Sequence, residues 1–114
     1  MEISIKNYGK TLYIAIKGEL DHHNSENVRS LIREEMLKAP IINLLFDFND
    51  LAFMDSSGVG MILGRYNEIK NNGGRIGVTN VGPQVKRIIE ISGLKKVMKS
   101  FRSVKDAIKE FEGV

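Results

Sequence analysis

The chain has 114 residues, 42% hydrophobic and 27% charged, with a net charge of +3, proportions that suit one globular domain with a single core. It has no cysteine, which excludes disulfides, thiolate catalysis and cysteine-ligated zinc. No apolar run approaches the roughly 18 residues of a membrane span, and Met1-Glu2-Ile3-Ser4-Ile5-Lys6 lacks the shape of a signal peptide. The expectation is a single cytoplasmic domain over residues 1–114, and the mild positive charge does not argue for nucleic-acid contact.

Residues 2–18 read as a β-hairpin. Ile3 and Ile5 alternate with polar residues, as do Leu12, Ile14 and Ile16, and Asn7-Tyr8-Gly9-Lys10 supplies the turn. Gly18 is expected to end the second strand. The polar connection Glu19-Leu20-Asp21-His22-His23-Asn24 offers Asp21 or Asn24 as helix cap. The following helix carries Val28, Leu31, Ile32 and Met36 on one face and stops at Pro40. Ile41 to Phe48 is nearly continuous in apolar residues, the pattern of a central strand covered on both faces.

Next comes Phe53-Met54-Asp55-Ser56-Ser57-Gly58-Val59-Gly60, a turn leading into a helix with Val59, Ile62, Leu63, Tyr66 and Ile69 on one face. Asn71-Asn72-Gly73-Gly74 ends that helix. Arg75 to Thr79 is a short strand. Pro83 opens a helix with Val85, Ile88 and Ile89 inward, and Gly93 closes it. Val97 to Phe101 reads as a last edge strand. Ser103 and Asp106 resemble a capping box before a helix that turns Val104, Ala107, Ile108 and Phe111 inward. The order ββαβαβα(β)α predicts an α/β fold, with a mixed sheet of about 4–5 strands and about 4 helices.

The stretch around Asp55 invites a functional reading. Gly58, Gly60 and Gly64 each weaken a helix by about 1 kcal/mol against alanine, so the thin surface they create needs a reason. A nucleophile elbow fails, because Asp55 and Met54 stand where its first glycine belongs, and a P-loop fails for want of its lysine. His22 and His23 read as solvent-facing loop residues rather than triad members or metal ligands. Asp21 and Asp55 as an acid/base pair have no supporting pocket signal. Asp55, Ser56 and Ser57 are all good N-caps. A serine exposed at a helix start also lies beside free backbone N–H groups and the positive dipole end. Such a site binds an anion, or the serine itself is phosphorylated. Lys86, Arg87, Lys95, Lys96, Lys99 and Arg102 read as a solvated face, since acidic residues are interleaved.

Three segments carry a family resemblance: Gly18-Glu19-Leu20-Asp21-His22-His23; Leu51 to Gly60 with Ile62-Leu63-Gly64-Arg65-Tyr66; and Ser92-Gly93-Leu94. With them the chain resembles, over essentially its whole length, the bacterial anti-sigma factor antagonists of the STAS domain class. The resemblance implies a STAS fold and a regulatory binding protein that is not an enzyme and needs no cofactor or metal. It implies phosphorylation of Ser56, the serine directly after the motif's Asp, with Ser57 the weaker candidate. The implied kinase is the anti-sigma factor itself, a serine kinase that carries ADP or ATP. The unphosphorylated antagonist binds it and frees a sigma factor, and a PPM-type serine phosphatase restores that form. Asp21, Asp55, Ser56, Ser57, Gly58 and Gly60 are the implied partner-binding residues, with no direct nucleic-acid or membrane partner. Asp21-His22-His23 and Phe53-Met54 favour the sporulation branch, controlling sigma-F, over the general stress-response branch. A small hydrolase using Ser56 or Ser57 with a histidine, and a module binding a nucleotide or small anion, are the competing readings. Whether Gly60 and Gly64 face a partner or the protein's own sheet is open.

Overall fold

Strand β3 (Asn43–Asp47) lies at the centre of the sheet of this computed structural model, which describes residues 1–113. The strand order is β1-β2-β3-β5-β6, from β1 (Glu2–Tyr8) and β2 (Thr11–Leu20) to β5 (Ile76–Thr79) and β6 (Met98–Phe101). The β1–β2 hairpin is antiparallel and the other pairings are parallel. Register explains why β3 is apolar throughout. Leu44 pairs with Ile76 and Phe46 with Val78, and these four belong to the main core. Leu45 pairs with Gly77 on the opposite face, where a Cβ on Gly77 would come within 3.1 Å of Phe111. Because alternate residues of a strand point to opposite faces, both faces of β3 must be covered.

Helices α1 (Ser25–Lys38), α2 (Ser56–Ile69) and α3 (Pro83–Ser92) cover the main-core face, bringing in Val28, Ile32, Met61, Ile62, Val85 and Ile89. Helix α4 (Val104–Glu112) covers the other. Ser103 caps it by accepting from the Asp106 N–H at 3.0 Å, as expected. At its far end Glu112 accepts from Thr11 Oγ1 at 2.5 Å and from the Lys10 N–H at 3.1 Å, tying the last helix to the first hairpin.

The main order holds five strands, within the number expected, and the sheet has a sixth off that path. The addition is β4 (Leu51–Met54), which runs parallel to the distal half of β2. Gly18 is what allows this. Rather than ending β2, it adopts φ +108° and makes a bulge, so the strand bends away from β3 and continues beside β4 to Leu20. The Gly18 N–H donates to Asp50 O at 3.1 Å, fixing the start of β4. Strand β4 then delivers Asp55 to the head of α2.

Candidate functional site at the head of helix α2

Asp55 is the cap, chosen by the structure from three candidates. It has extended backbone, φ −103° and ψ −171°. Its Oδ1 accepts from the N–H groups of Ser57 at 2.8 Å and Gly58 at 3.2 Å. Its Oδ2 accepts from the His22 N–H at 3.0 Å, and its own N–H donates to Leu20 O at 3.2 Å. The end of β2 and the start of α2 are thus stitched together, which brings the Asp21 loop beside Ser56. Burial alone would raise the Asp55 pKa and is the largest single influence. The N–H groups of Gly58, Ser57 and His22, with the nearby His22 ring, outweigh it and hold the carboxyl below its ordinary range.

Two expectations change here. The amides of Ser57 and Gly58 are not free to receive an external anion, because Asp55 already occupies them. Asp21 does not cap α1. Its Oδ1 accepts from the N–H groups of His23 and Asn24, its own N–H donates to Asn24 Oδ1, and its carbonyl accepts from Ser25 Oγ at 2.6 Å. Asn24 stands at the N-cap position without a side-chain capping bond. Asp21 therefore shapes the loop that presents His22 to Asp55.

Ser56 is exposed at the first position of α2, whereas Ser57 is half-buried. The glycines divide. A Cβ on Gly58 would lie 2.5 Å from Leu20 O and 2.8 Å from Met54 Cγ. Gly58 is buried and packs against this chain's own β2 and β4. Gly60 and Gly64 have nothing within 4 Å of an added Cβ. They floor an open groove between α1 and α2, of about 410 Å³, that Ser57, Met61, Ser25 and Arg29 also line. The open question about these glycines is settled against the protein's own sheet. The buried face of α2 carries Gly58, Met61, Ile62, Arg65 and Ile69, one residue round from the predicted stripe. Val59, Leu63 and Tyr66 are only partly buried.

His22 meets Asp55 through its backbone, and both histidines are exposed. Among the described residues, no cluster of His, Asp and Glu is placed to hold a metal, and no helix is long and apolar enough to cross a membrane. The basic residues of the C-terminal third do not form one face: Lys99 pairs with Glu110 at 2.7 Å, and Lys86 and Lys95 share a shallow pocket with Glu90.

Residues 2–107, which include this helix head and the groove beside it, match the STAS domain. The chain belongs to the STAS domain family. Within it the chain is of the anti-sigma factor antagonist type. It is similar to an anti-sigma F factor antagonist of Paenibacillus polymyxa, 37% identical over 114 residues, covering 100% of this chain and 97% of that one. The anti-sigma factor antagonist SpoIIAA in its unphosphorylated form superposes on this STAS domain with a TM-score of 0.87 at 32% identity, covering 99% of this chain and 98% of that one. The phosphorylated form of the Bacillus cell fate determinant SpoIIAA gives 0.75, also at 32% identity, over 96% and 99%. The α/β STAS fold read from the motifs is therefore the fold observed.

Two features of the site itself are not legible in the sequence pattern. Arg65 is buried, although a charged residue inside a helix reads as exposed. Its spacing of three from Ile62 and four from Met61 and Ile69 is the available signal. The Asp55–His22 link joins residues 33 apart, and periodicity says nothing about such pairs.

Proposed function

We propose that this STAS domain is a cytoplasmic anti-sigma factor antagonist switched by phosphorylation of Ser56. Unphosphorylated, it binds an anti-sigma factor that is also a serine kinase, and so releases the sporulation sigma factor, sigma-F. In the kinase complex Ser56 Oγ takes the γ-phosphoryl group of the partner's ATP, and ADP leaves. A PPM-type serine phosphatase returns the serine. The chain acts by binding and serves as substrate. Full-length similarity to an anti-sigma F factor antagonist supports the sporulation branch.

The observation that carries this reading is the exposed Ser56 directly after a cap that has consumed the neighbouring amides. A hydroxyl there is accessible to another protein's active site. A phosphate placed on it brings about −1.5 to −2 of charge. With the Asp55 carboxylate beside it and the Ser57 and Gly58 amides taken, that charge faces outward, onto the surface that docks. Phosphorylation therefore alters what the surface accepts.

Incubation with the anti-sigma factor kinase and ATP, followed by mass spectrometry, tests the site. The expected result is one phosphate on Ser56. Ser56→Ala should bind the kinase and remain unmodified. Phosphate on Ser57, or none, would overturn the assignment.

A further inference from the structure

The groove between α1 and α2 contains a feature that capping and phosphorylation do not use. Arg65 is only 4% exposed. Its Nε and Nη2 both meet Glu68 Oε1, while its Nη1 is buried with no hydrogen-bond partner among the described residues. A buried donor left unsatisfied is costly, and more so on a charged group. This guanidinium lines the same wall as Gly60 and Gly64, where side chains are absent and space is open. The wall thus combines room for an incoming side chain with a cationic donor that lacks an acceptor and is covered in the unbound protein, so an acceptor reaches it when the Arg65 head turns into the open space.

Building on the function proposed above, we infer that this groove is a socket for an acidic side chain of the anti-sigma factor, whose carboxylate completes the hydrogen bonding of Arg65 Nη1. The chemistry selects the occupant. A lysine or arginine offers no acceptor and meets like charge from Arg65. An apolar side chain fills the space and leaves the donor unpaired. Glu68 already holds Nε and Nη2, and the rim carboxylate Glu26 is paired with Arg29 at 2.7 Å, so Nη1 alone is left for a partner. A carboxylate supplies the missing acceptor through a charge-assisted hydrogen bond, roughly twice as strong as one from a neutral group. The socket gives the antagonist a second anchor, along the helix from Ser56.

The test is a binding titration of the full chain against the ADP-loaded anti-sigma factor, using Gly64→Leu, Arg65→Lys, Arg65→Gln and Ser56→Asp. Gly64→Leu fills the groove and should weaken binding about tenfold or more without lowering the melting temperature. Arg65→Lys keeps the charge and should retain more affinity than Arg65→Gln. In the wild-type protein, the Arg65 side-chain N–H signals should move on complex formation, a readout independent of any variant's folding. Unchanged Arg65 signals, or Gly64→Leu binding as tightly as wild type, would overturn the socket. If Arg65→Gln matches or exceeds Arg65→Lys, the acidic occupant is wrong. Self-association abolished by Gly64→Leu would give the groove to a second copy and overturn the inference. Loss of binding in Ser56→Asp alone leaves the phosphorylation switch standing and removes only the socket. A wild-type protein that binds no anti-sigma factor removes both.

Discussion

The His22 N–H donates to Asp55 Oδ2 at 3.0 Å, so one carboxylate both caps α2 and clasps the loop that follows β2. Losing it should cost more than an ordinary cap. Replacing a capping Asp by Ala costs about 0.5–2 kcal/mol. Asp55→Ala also leaves the His22 amide without this acceptor, placing the expected loss at the upper end, about 2 kcal/mol. Asp55→Asn keeps an acceptor oxygen and should lose less. Urea unfolding of the three proteins checks the order, and equal midpoints for Asp55→Ala and wild type would show that the clasp contributes nothing.

The same carboxylate makes stability depend on acid. Its folded-state pKa lies below the ordinary value of 3.8 because its backbone donors favour the charged form over the opposing effect of burial. In acid the unfolded chain therefore binds the proton first, and unfolding gains from it. The Asp55 contribution is fully present above about pH 5 and is lost as pH falls through the depressed folded value. Asp55→Asn should flatten this part of the pH–stability curve. A difference between wild type and Asp55→Asn that does not shrink on acidification below pH about 4 would contradict the linkage.

Gly58 and Gly60 lie two residues apart on one helix and should respond to alanine with opposite signs. At Gly58 the new methyl meets Leu20 O at 2.5 Å, and a backbone atom of a paired strand cannot step aside. Overpacking of this kind costs about 1–3 kcal/mol. At Gly60 the methyl meets nothing within 4 Å and the residue is helical, so alanine should stabilise by about 0.5–1 kcal/mol. Thermal melts decide, and a shift of the same sign at both sites would contradict the division of the glycines.

That division marks the limit of what could be read before the fold was known. The central strand was legible because Leu44, Leu45 and Phe46 face two cores, and apolar continuity records that directly. The α2 stripe was read one residue off. Periodicity follows the large apolar side chains, Val59, Leu63 and Tyr66, whereas the position nearest the sheet is held by Gly58, which has none. Strand β4 escaped because it has four residues, only its ends Leu51 and Met54 are buried, and its partner is the half of β2 beyond a bulge. The exposed serine and its acidic neighbour were legible as residues. Which of the three capped the helix depended on where β4 ended, which is long-range information.

Phosphorylation of Ser56 should leave the fold in place. The added charge lies at the positive end of α2, an arrangement that favours an anion by about 0.3–1 kcal/mol. Against this stands the Asp55 carboxylate, kept ionised by its three backbone donors. The two effects oppose each other at a solvent-exposed position where screening weakens both, so the net change in stability should be under about 1 kcal/mol. Ser56 itself is exposed, so the added group displaces no core side chain and the sheet has no reason to rearrange. Backbone NMR shifts of the two forms should differ around residues 20–25 and 54–60 and agree elsewhere. Shifts spreading through β3 and β5, or loss of helical signals along α2, would mean that the switch acts by remodelling the domain. Ser56→Asp, which carries less charge than phosphoserine at neutral pH, should reproduce the local shifts in direction and fall short in size.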